Sequence, residues 1–155
     1  MVPGHTAPMP ADASPAPRGP TFTHRLRARF AETDAMGVIH HAAYLGYLEA
    51  ARVELLRAVG HPYDGVRASG IDFAVVDVQV HYMRPVVFDD QVAVELWVRA
   101  ASRAAFEIAY VVRVGDRRCA TAVTRHAAVG PDGHPRRLPA WVTELAASEE
   151  HLPRR

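Results

Sequence analysis

Residues 43–60 read AYLGYLEAARVELLRAVG, and their apolar side chains recur at the spacing of an amphipathic α-helix. Gly60 and then Pro62 follow the last apolar residue, as glycine and proline commonly do after a helix C-terminus. We therefore predict a long helix that begins near Ala43 and ends before Gly60. Its apolar stripe consists of Tyr44, Leu45, Leu48, Leu55, Leu56 and Val59.

Alternating apolar and polar residues on both sides of this helix are typical of half-buried β-strands. The first such segment begins at Thr21, and its apolar face consists of Phe22, Leu26, Ala28 and Phe30. After a polar, glycine-containing loop, the alternation returns at residues 74–82 and stops at Arg84-Pro85, because proline cannot donate to a sheet ladder. Three further strands are predicted around residues 92–98, 106–114 and 117–129.

Short connections set the direction of the later strands. Gly115-Asp116 is a two-residue hairpin signal, and Pro131-Asp132-Gly133 indicates a turn. Consecutive hairpins make a sheet antiparallel, and such a sheet needs a helix to cover one face. We predict an α+β fold with a curved, five-stranded antiparallel sheet wrapped around one long central helix, and a short helix at residues 139–147.

Length and charge limit the number of domains and the classes of partner. The 155 residues fit one domain, and 18 basic and 17 acidic side chains give a net charge of +1 without a patch suited to nucleic acid. Residues 1–20 contain half of the 12 prolines, so we predict a disordered tail there. A single domain at residues 21–147 and a flexible C-terminus at 148–155 complete the predicted organisation.

The cellular compartment is predicted from what the sequence lacks. Cys119 is the single cysteine, which excludes an internal disulfide and is compatible with a reducing compartment. The N-terminus has no basic start followed by an apolar core, as a signal peptide would, and no apolar run is long enough to span a bilayer. We therefore predict a cytoplasmic protein that does not bind a membrane.

The segment between the first strand and the helix, TDAMGVIHHAAY at residues 33–44, carries the candidate chemistry. Asp34 taken alone would be interpreted as a turn or capping residue, because aspartate favours both positions. Three features favour a functional role: the apolar residues that follow, the conformational freedom of Gly37, and the helix that begins shortly afterwards. A helix start offers free backbone N–H groups, and a carboxylate beside such donors is suited to acyl transfer.

Residues 29–56, RFAETDAMGVIHHAAYLGYLEAARVELL, resemble the signature of the 4-hydroxybenzoyl-CoA thioesterase and acyl-CoA thioesterase family. The matching positions are Asp34, Gly37, Val38, Ile39, His41, Tyr44, Glu49 and Arg52. A second stretch, Tyr82-Met83-Arg84-Pro85 followed by Asp89-Asp90, also resembles the family. His40 departs from the pattern, because the family usually has tyrosine or tryptophan at this position.

The resemblance implies a hotdog fold, dimers that join through a continuous sheet, and active sites at the subunit interface. The expected assembly is a homodimer or a homotetramer, and residues 74–82 are our candidate for the pairing edge, since a long free edge is a liability. The expected substrate is an acyl-CoA or acyl-carrier thioester, which would be hydrolysed to a carboxylic acid and a free thiol.

The resemblance also assigns roles to individual residues. Asp34 would attack the thioester carbonyl as a nucleophile or orient a water molecule as a general base. The backbone N–H of His41 would stabilise the oxyanion, and the His41 side chain would position the thioester or the water. Arg103 matches a basic position that contacts CoA phosphates in some relatives. The remaining substrate-binding candidates are Gly37, Val38, Ile39, His40 and Tyr44.

Several of these residues have a structural alternative. His41 would then cap the helix, Tyr44 would be a core residue, and Arg103 would be a solvated residue of a turn. Glu49 and Arg52 are three residues apart on one helix, which predicts a structural ion pair.

Other chemistries are less well supported by the sequence. The histidines lack the paired spacing of metal ligands, and we expect the adjacent side chains of His40 and His41 to diverge, so we predict no metal and no cofactor.

One carboxylate suffices for hydrolysis of a thioester, because a thiolate whose conjugate acid has a pKa of about 8.5 leaves readily. The alternative function is a non-catalytic or weakly catalytic module that binds acyl-CoA or an acyl carrier.

Overall fold

The computed structural model describes residues 21–147, which form one antiparallel sheet and three helices. The predictions for residues 1–20 and 148–155 lie outside the described residues. The strands are β1 (Phe22–Arg27), β2 (Asp72–Tyr82), β3 (Gln91–Ala101), β4 (Ala105–Val114) and β5 (Arg117–Val129). The helices are α1 (Ala43–Ala58), α2 (Tyr63–Ala68) and α3 (Ala140–Ala147).

The five strands are ordered β1-β3-β4-β5-β2, and every neighbouring pair is antiparallel. The predicted α+β class and five-stranded antiparallel sheet are confirmed. Strand β2 pairs with β5 and forms one edge of the sheet, as predicted, with an irregularity between Val75 and Asp77. Its N-terminal residue Asp72 lies beside Val129, and its C-terminal residue Tyr82 lies beside Ala120.

Helix α1 buries most of its predicted stripe. Tyr44, Leu48, Leu55 and Leu56 are at most 4% exposed. Gly60 follows the helix at a φ of 82°, the left-handed conformation that commonly ends helices, as its sequence predicts. The orientation of two apolar residues was predicted wrongly: Leu45 is 45% exposed on α1, and Phe30 is 73% exposed because the chain leaves β1 for a 3-10 turn at Phe30–Glu32.

The prediction of a single central helix is not confirmed. Helix α1 packs against β1 and β3, but α3 also packs against β3, so two helices cover the sheet. Helix α2 forms where a polar loop was predicted, within residues 62–70. No helix in residues 21–147 is both long enough and apolar enough to cross a bilayer.

A buried chain of polar groups ties the middle of α1 to the sheet. The Arg52 guanidinium donates to Nδ1 of His126 at 2.8 Å, and Nε2 of His126 lies 2.7 Å from the Thr124 hydroxyl, which contacts the Tyr110 hydroxyl at 3.0 Å. Because arginine has no acceptor, His126 must accept at Nδ1 and carry its proton on Nε2. The predicted ion pair between Glu49 and Arg52 is wrong, because Arg52 points into the core and Glu49 is exposed.

Burial and the neighbouring Arg52 charge lower the pKa of His126 to about 3. Between pH 6.5 and about 3 the unfolded chain therefore binds a proton that the native chain does not bind. The stability contribution is complete above pH 6.5 and is lost progressively as the pH falls towards about 3.

We expect His126→Gln to flatten the acid end of the stability profile, since glutamine can accept from Arg52 and donate to Thr124 but does not titrate. The slope of unfolding free energy against pH, measured by urea denaturation between about pH 4 and 6, should fall by up to about 1.4 kcal/mol per pH unit. His134→Gln, on an exposed turn, is the control. Parallel profiles for wild type and His126→Gln would contradict the prediction.

Candidate active site

The segment that carries Asp34 is a tight hairpin. Thr33 pairs with Ile39, the Asp34 N–H donates to the Val38 carbonyl at 2.9 Å, and the Gly37 N–H donates back to the Asp34 carbonyl at 3.0 Å. Gly37 has a φ of 73°, so the positive φ that its sequence position suggested is confirmed. The hairpin is anchored to the chain before β3, because Val38 also pairs with Val87.

The Asp34 carboxylate is half-buried at this turn. One oxygen, Oδ1, accepts the Met36 N–H at 2.8 Å, which is the turn-forming role that aspartate commonly has. Within residues 21–147, no side chain or further N–H donates to Oδ2. The carboxylate is therefore held in place by one oxygen while the other remains available to a substrate.

Of the four backbone N–H groups of residues 40–43, which lead into α1, three are already used. The His40 N–H donates to the Glu32 carbonyl at 2.7 Å, the Ala42 N–H to His40 Nδ1 at 3.1 Å, and the Ala43 N–H to the His40 carbonyl at 2.9 Å. No acceptor for the His41 N–H occurs in the described part of the chain. The residue predicted to stabilise an oxyanion thus has a free donor at a helix start, where negative charge is favoured.

The two histidines do not diverge as predicted. Their rings stack with centroids 4.1 Å apart and planes at 30°, because both residues precede the regular part of α1. The capping role suggested as an alternative for His41 belongs to His40, whose Nδ1 accepts the Ala42 N–H. The His41 ring is exposed and is therefore accessible to a substrate.

Tyr82, at the end of the edge strand, holds the start of α1. Its hydroxyl donates to the His41 carbonyl at 2.8 Å, and its ring meets Tyr44 edge to face at 5.1 Å. Tyr44 is 3% exposed and belongs to the core, which agrees with its structural alternative. Burial raises the pKa of both phenols, so both remain protonated at neutral pH.

We expect Tyr82→Phe to lower kcat by about tenfold, because the chain loses a contact at the His41 carbonyl, one peptide unit beyond the His41 N–H, that helps to fix the position of that donor. The loss of stability should stay near 1 kcal/mol, as is usual for one hydrogen bond. Steady-state kinetics and urea denaturation on the same preparation separate the two effects. A kcat within twofold of wild type would show that Tyr82 does not position the donor.

Glu32 anchors the hairpin from the other side, and sequence reasoning missed this contact. Its carboxylate accepts the Tyr47 hydroxyl at 2.6 Å and the Arg29 guanidinium at 2.7 Å. Burial raises the pKa of Glu32, but the hydrogen bonds from Tyr47 and Arg29 outweigh it and hold the pKa below its usual value. Burial and the hydrogen bond to Glu32 raise the pKa of Tyr47. Arg29 and Glu32 are three residues apart, and this i,i+3 spacing is the feature of the sequence that could have predicted their ion pair.

Exposed apolar side chains surround the hairpin. Phe30 packs edge to face on Phe88 at 5.7 Å, and Met36, at the hairpin tip, is 80% exposed. Ile39 is 3% exposed and points into the core, so of the two predicted aliphatic candidates only Val38 is partly accessible. The surroundings of Asp34 are therefore suited to an apolar acyl group.

Arg103 lies at the opposite end of the sheet from Asp34. The hairpin adjoins the start of β3, since the Ile39 N–H donates to the Val86 carbonyl. Arg103 follows the end of β3, which is 11 residues long and therefore spans roughly 35 Å. Within one protomer Arg103 and Asp34 therefore lie at opposite ends of β3.

Comparison with known proteins identifies the family. The family model of the thioesterase-like superfamily matches residues 28–147. The chain belongs to the thioesterase-like superfamily. The match includes Asp34, α1 and all strands except β1. Relatives named as thioester hydrolases confirm the predicted thioester hydrolase.

Relatives within the superfamily agree with the fold. A 1,4-dihydroxy-2-naphthoyl-CoA hydrolase from Nostoc punctiforme is 32% identical over 110 residues, which are 70% of this chain and 74% of that protein. A crystal structure from Aquifex aeolicus is 36% identical with a TM-score of 0.76, covering 81% of this chain and 98% of that chain. The crystal structure of DHNA-CoA thioesterase from Staphylococcus aureus is 28% identical with a TM-score of 0.74, covering 80% of this chain and 85% of that chain. The predicted hotdog fold is thereby confirmed.

Proposed function

We propose that this thioesterase hydrolyses acyl-CoA, with Asp34 acting on the carbonyl carbon and the His41 N–H binding the carbonyl oxygen. The observation that carries the proposal is the free His41 N–H at the start of α1, preceded by a hairpin that fixes the Asp34 carboxylate by one oxygen. The two named relatives act on CoA thioesters, which supports CoA as the carrier.

The reaction needs one carboxylate and one oxyanion donor. If Asp34 attacks directly, its oxygen bonds to the carbonyl carbon, the carbonyl oxygen becomes negative, and the C–S bond then breaks to release the CoA thiolate. Water hydrolyses the resulting mixed anhydride and restores the carboxylate. If Asp34 acts as a base, it takes a proton from a water that attacks the same carbon. Either route places the developing charge at the His41 N–H, a contact typically worth about 10²–10³ in rate.

The proposed assembly is a homodimer in which β2 pairs with its own copy. Strand β2 is 11 residues long, contains no proline or lysine that would protect an edge, and exposes apolar side chains on both faces. Val75 is 51% exposed, Val76 56% and Val78 39%. An isologous pairing would cover these side chains and satisfy the free hydrogen-bonding groups of the edge.

A thiol-release assay over short, long and aromatic acyl-CoAs tests the proposed function. We expect release of one CoA thiol per thioester, with a kcat/KM of at least about 10⁴ M⁻¹s⁻¹ for one acyl class. Calorimetric titration with the same compounds tests the alternative of a binding module. Tight binding of acyl-CoA without thiol release from any of them would refute the proposal.

A further inference from the structure

A concave region lies where α2, the start of β2 and the end of β5 meet, at the end of the sheet opposite Asp34. The cavity has a volume of about 570 Å³, and Tyr63, Arg67, Asp72 and Gly130 are among the residues that line it. Neither the hairpin nor α1 contributes to its lining. Within one protomer the cavity is therefore separate from the candidate active site.

The cavity contains an arginine, Arg67, that lies beside the carboxylate of Asp72. Asp72 accepts the Tyr63 hydroxyl and lies 3.3 Å from Nε of Arg67. The Arg67 side chain is 66% exposed, so its terminal nitrogens are accessible to a ligand. A guanidinium whose Nε lies beside a carboxylate and whose terminal nitrogens are exposed is suited to binding phosphate oxygens.

Pairing through β2 would bring this cavity towards the active site of a second copy. A two-fold axis that pairs β2 with its copy makes the two strands antiparallel, so the Asp72 end of one strand lies beside the Tyr82 end of the other. Asp72 contacts Arg67, whereas Tyr82 donates to the His41 carbonyl. Neighbouring strands are only about 4.8 Å apart. In such a dimer the cavity of one protomer would open on the side of the His41 peptide of its partner.

We infer that Arg67 of each protomer binds a phosphate group of the thiol carrier whose acyl group is held at Asp34 of the partner subunit. This inference rests on the proposed function and on pairing through β2. It assigns the cavity to recognition of the phosphorylated carrier, and the hairpin of the other copy to the chemistry. Each active site is then incomplete without both protomers.

The position of Arg67 distinguishes it from Arg103. Both arginines lie at the end of the sheet that the two-fold axis turns towards the partner's Asp34. Arg103 belongs to the turn between β3 and β4, and β5 separates that turn from β2. Arg67 contacts the first residue of β2 directly. The edge position places Arg67 closer than Arg103 to the strand that would pair with the partner.

The first test compares carriers that contain phosphate groups with a carrier that contains none. Arg67→Glu should raise KM for an acyl-CoA by about tenfold or more while kcat changes less than twofold, because the lost contact is remote from the carbonyl. KM for the matching acyl-pantetheine, which has no phosphate, should not change. Acyl-phosphopantetheine distinguishes the diphosphate and nucleotide of CoA from the single phosphate of a carrier protein. Arg25→Ala, an exposed arginine on the opposite edge strand β1, is the control variant.

A hybrid dimer provides the second test. One chain carries Asp34→Asn and the other carries Arg67→Glu, each with a different affinity tag, so that the mixed dimer can be purified. This hybrid contains one intact Asp34, on the Arg67→Glu chain. Under the proposal that Asp34 uses the wild-type Arg67 of the other chain, so the hybrid should show the wild-type KM for acyl-CoA. If each site used its own arginine, the hybrid would show the raised KM of the Arg67→Glu homodimer.

The outcomes separate this inference from the proposed function. A wild-type protein that releases no thiol defeats the proposed function before any arginine is tested. An active wild type with an unchanged KM in Arg67→Glu, an equal effect on acyl-pantetheine, or a raised KM in the hybrid defeats the assignment of Arg67. A KM increase for Arg103→Ala without one for Arg67→Glu would transfer the phosphate contact to Arg103.

Discussion

The Asp34→Asn variant should lose at least about 10³-fold in kcat for acyl-CoA hydrolysis, equivalent to about 4 kcal/mol of activation free energy. An amide can neither attack the carbonyl nor take a proton from water, so both proposed routes fail. The substitution leaves the fold intact, because the amide oxygen of asparagine can still accept the Met36 N–H that Asp34 accepts at 2.8 Å. KM should change little, since no contact with the carrier is removed.

The control for this variant is Asp116→Asn, in the exposed hairpin between β4 and β5. Its kcat should equal that of the wild type, and both variants should unfold within about 1 kcal/mol of wild type. Thiol release at saturating acyl-CoA gives kcat, and urea denaturation gives the unfolding free energy. An Asp34→Asn variant that keeps more than a tenth of wild-type kcat would remove Asp34 from the mechanism.

Val78→Arg should separate the subunits and abolish most activity. Val78 is 39% exposed near the middle of β2, where a two-fold axis places two copies of the new charge close together. Losing two apolar contacts at about 2 kcal/mol each weakens the dimer by about 10³-fold. If each active site needs both protomers, kcat/KM at micromolar protein should fall in proportion to the fraction of dimer.

Thr23→Arg places the same charge on β1, the other edge of the sheet, and should leave both the dimer and the activity unchanged. Sedimentation velocity over a range of protein concentrations measures the assembly, and thiol release on the same samples measures the activity. A fully active monomer of Val78→Arg would show that one protomer contains a complete site. A dimer of unchanged affinity would show that β2 is not the interface.

Local signals were sufficient to predict most of the secondary structure. The period of α1, the glycine at position 60 and the hairpin at Gly115 are properties of consecutive residues, and each prediction is confirmed within about two residues. Helix α2 was missed because its six residues are too few to show a helical period. The exposure of Phe30 and Leu45 was missed because the end of β1 and the packing of α1 depend on distant segments.

Those parts of the candidate site that depend on consecutive residues were predicted, and those that depend on distant residues were not. The Asp34 turn, the Gly37 conformation and the helix start are local, so the sequence could place them. The pairing of Arg52 with His126 joins residues 74 positions apart and therefore could not be read from helix spacing, which suggested Glu49 instead. The separation of Arg103 from Asp34 arises because the hairpin contacts the chain just before β3 whereas Arg103 follows the end of β3, and periodicity does not specify that contact.

A crystal structure with a non-hydrolysable acyl-CoA analogue, in which a methylene group replaces the thioester sulfur, tests the central geometry most directly. We expect the analogue's carbonyl oxygen to lie about 2.7–3.2 Å from the His41 nitrogen. The Asp34 carboxylate, or a water bound to it, should lie about 3–3.5 Å from the carbonyl carbon. An analogue whose carbonyl group is bound away from both His41 and Asp34, in every protomer, would contradict the mechanism.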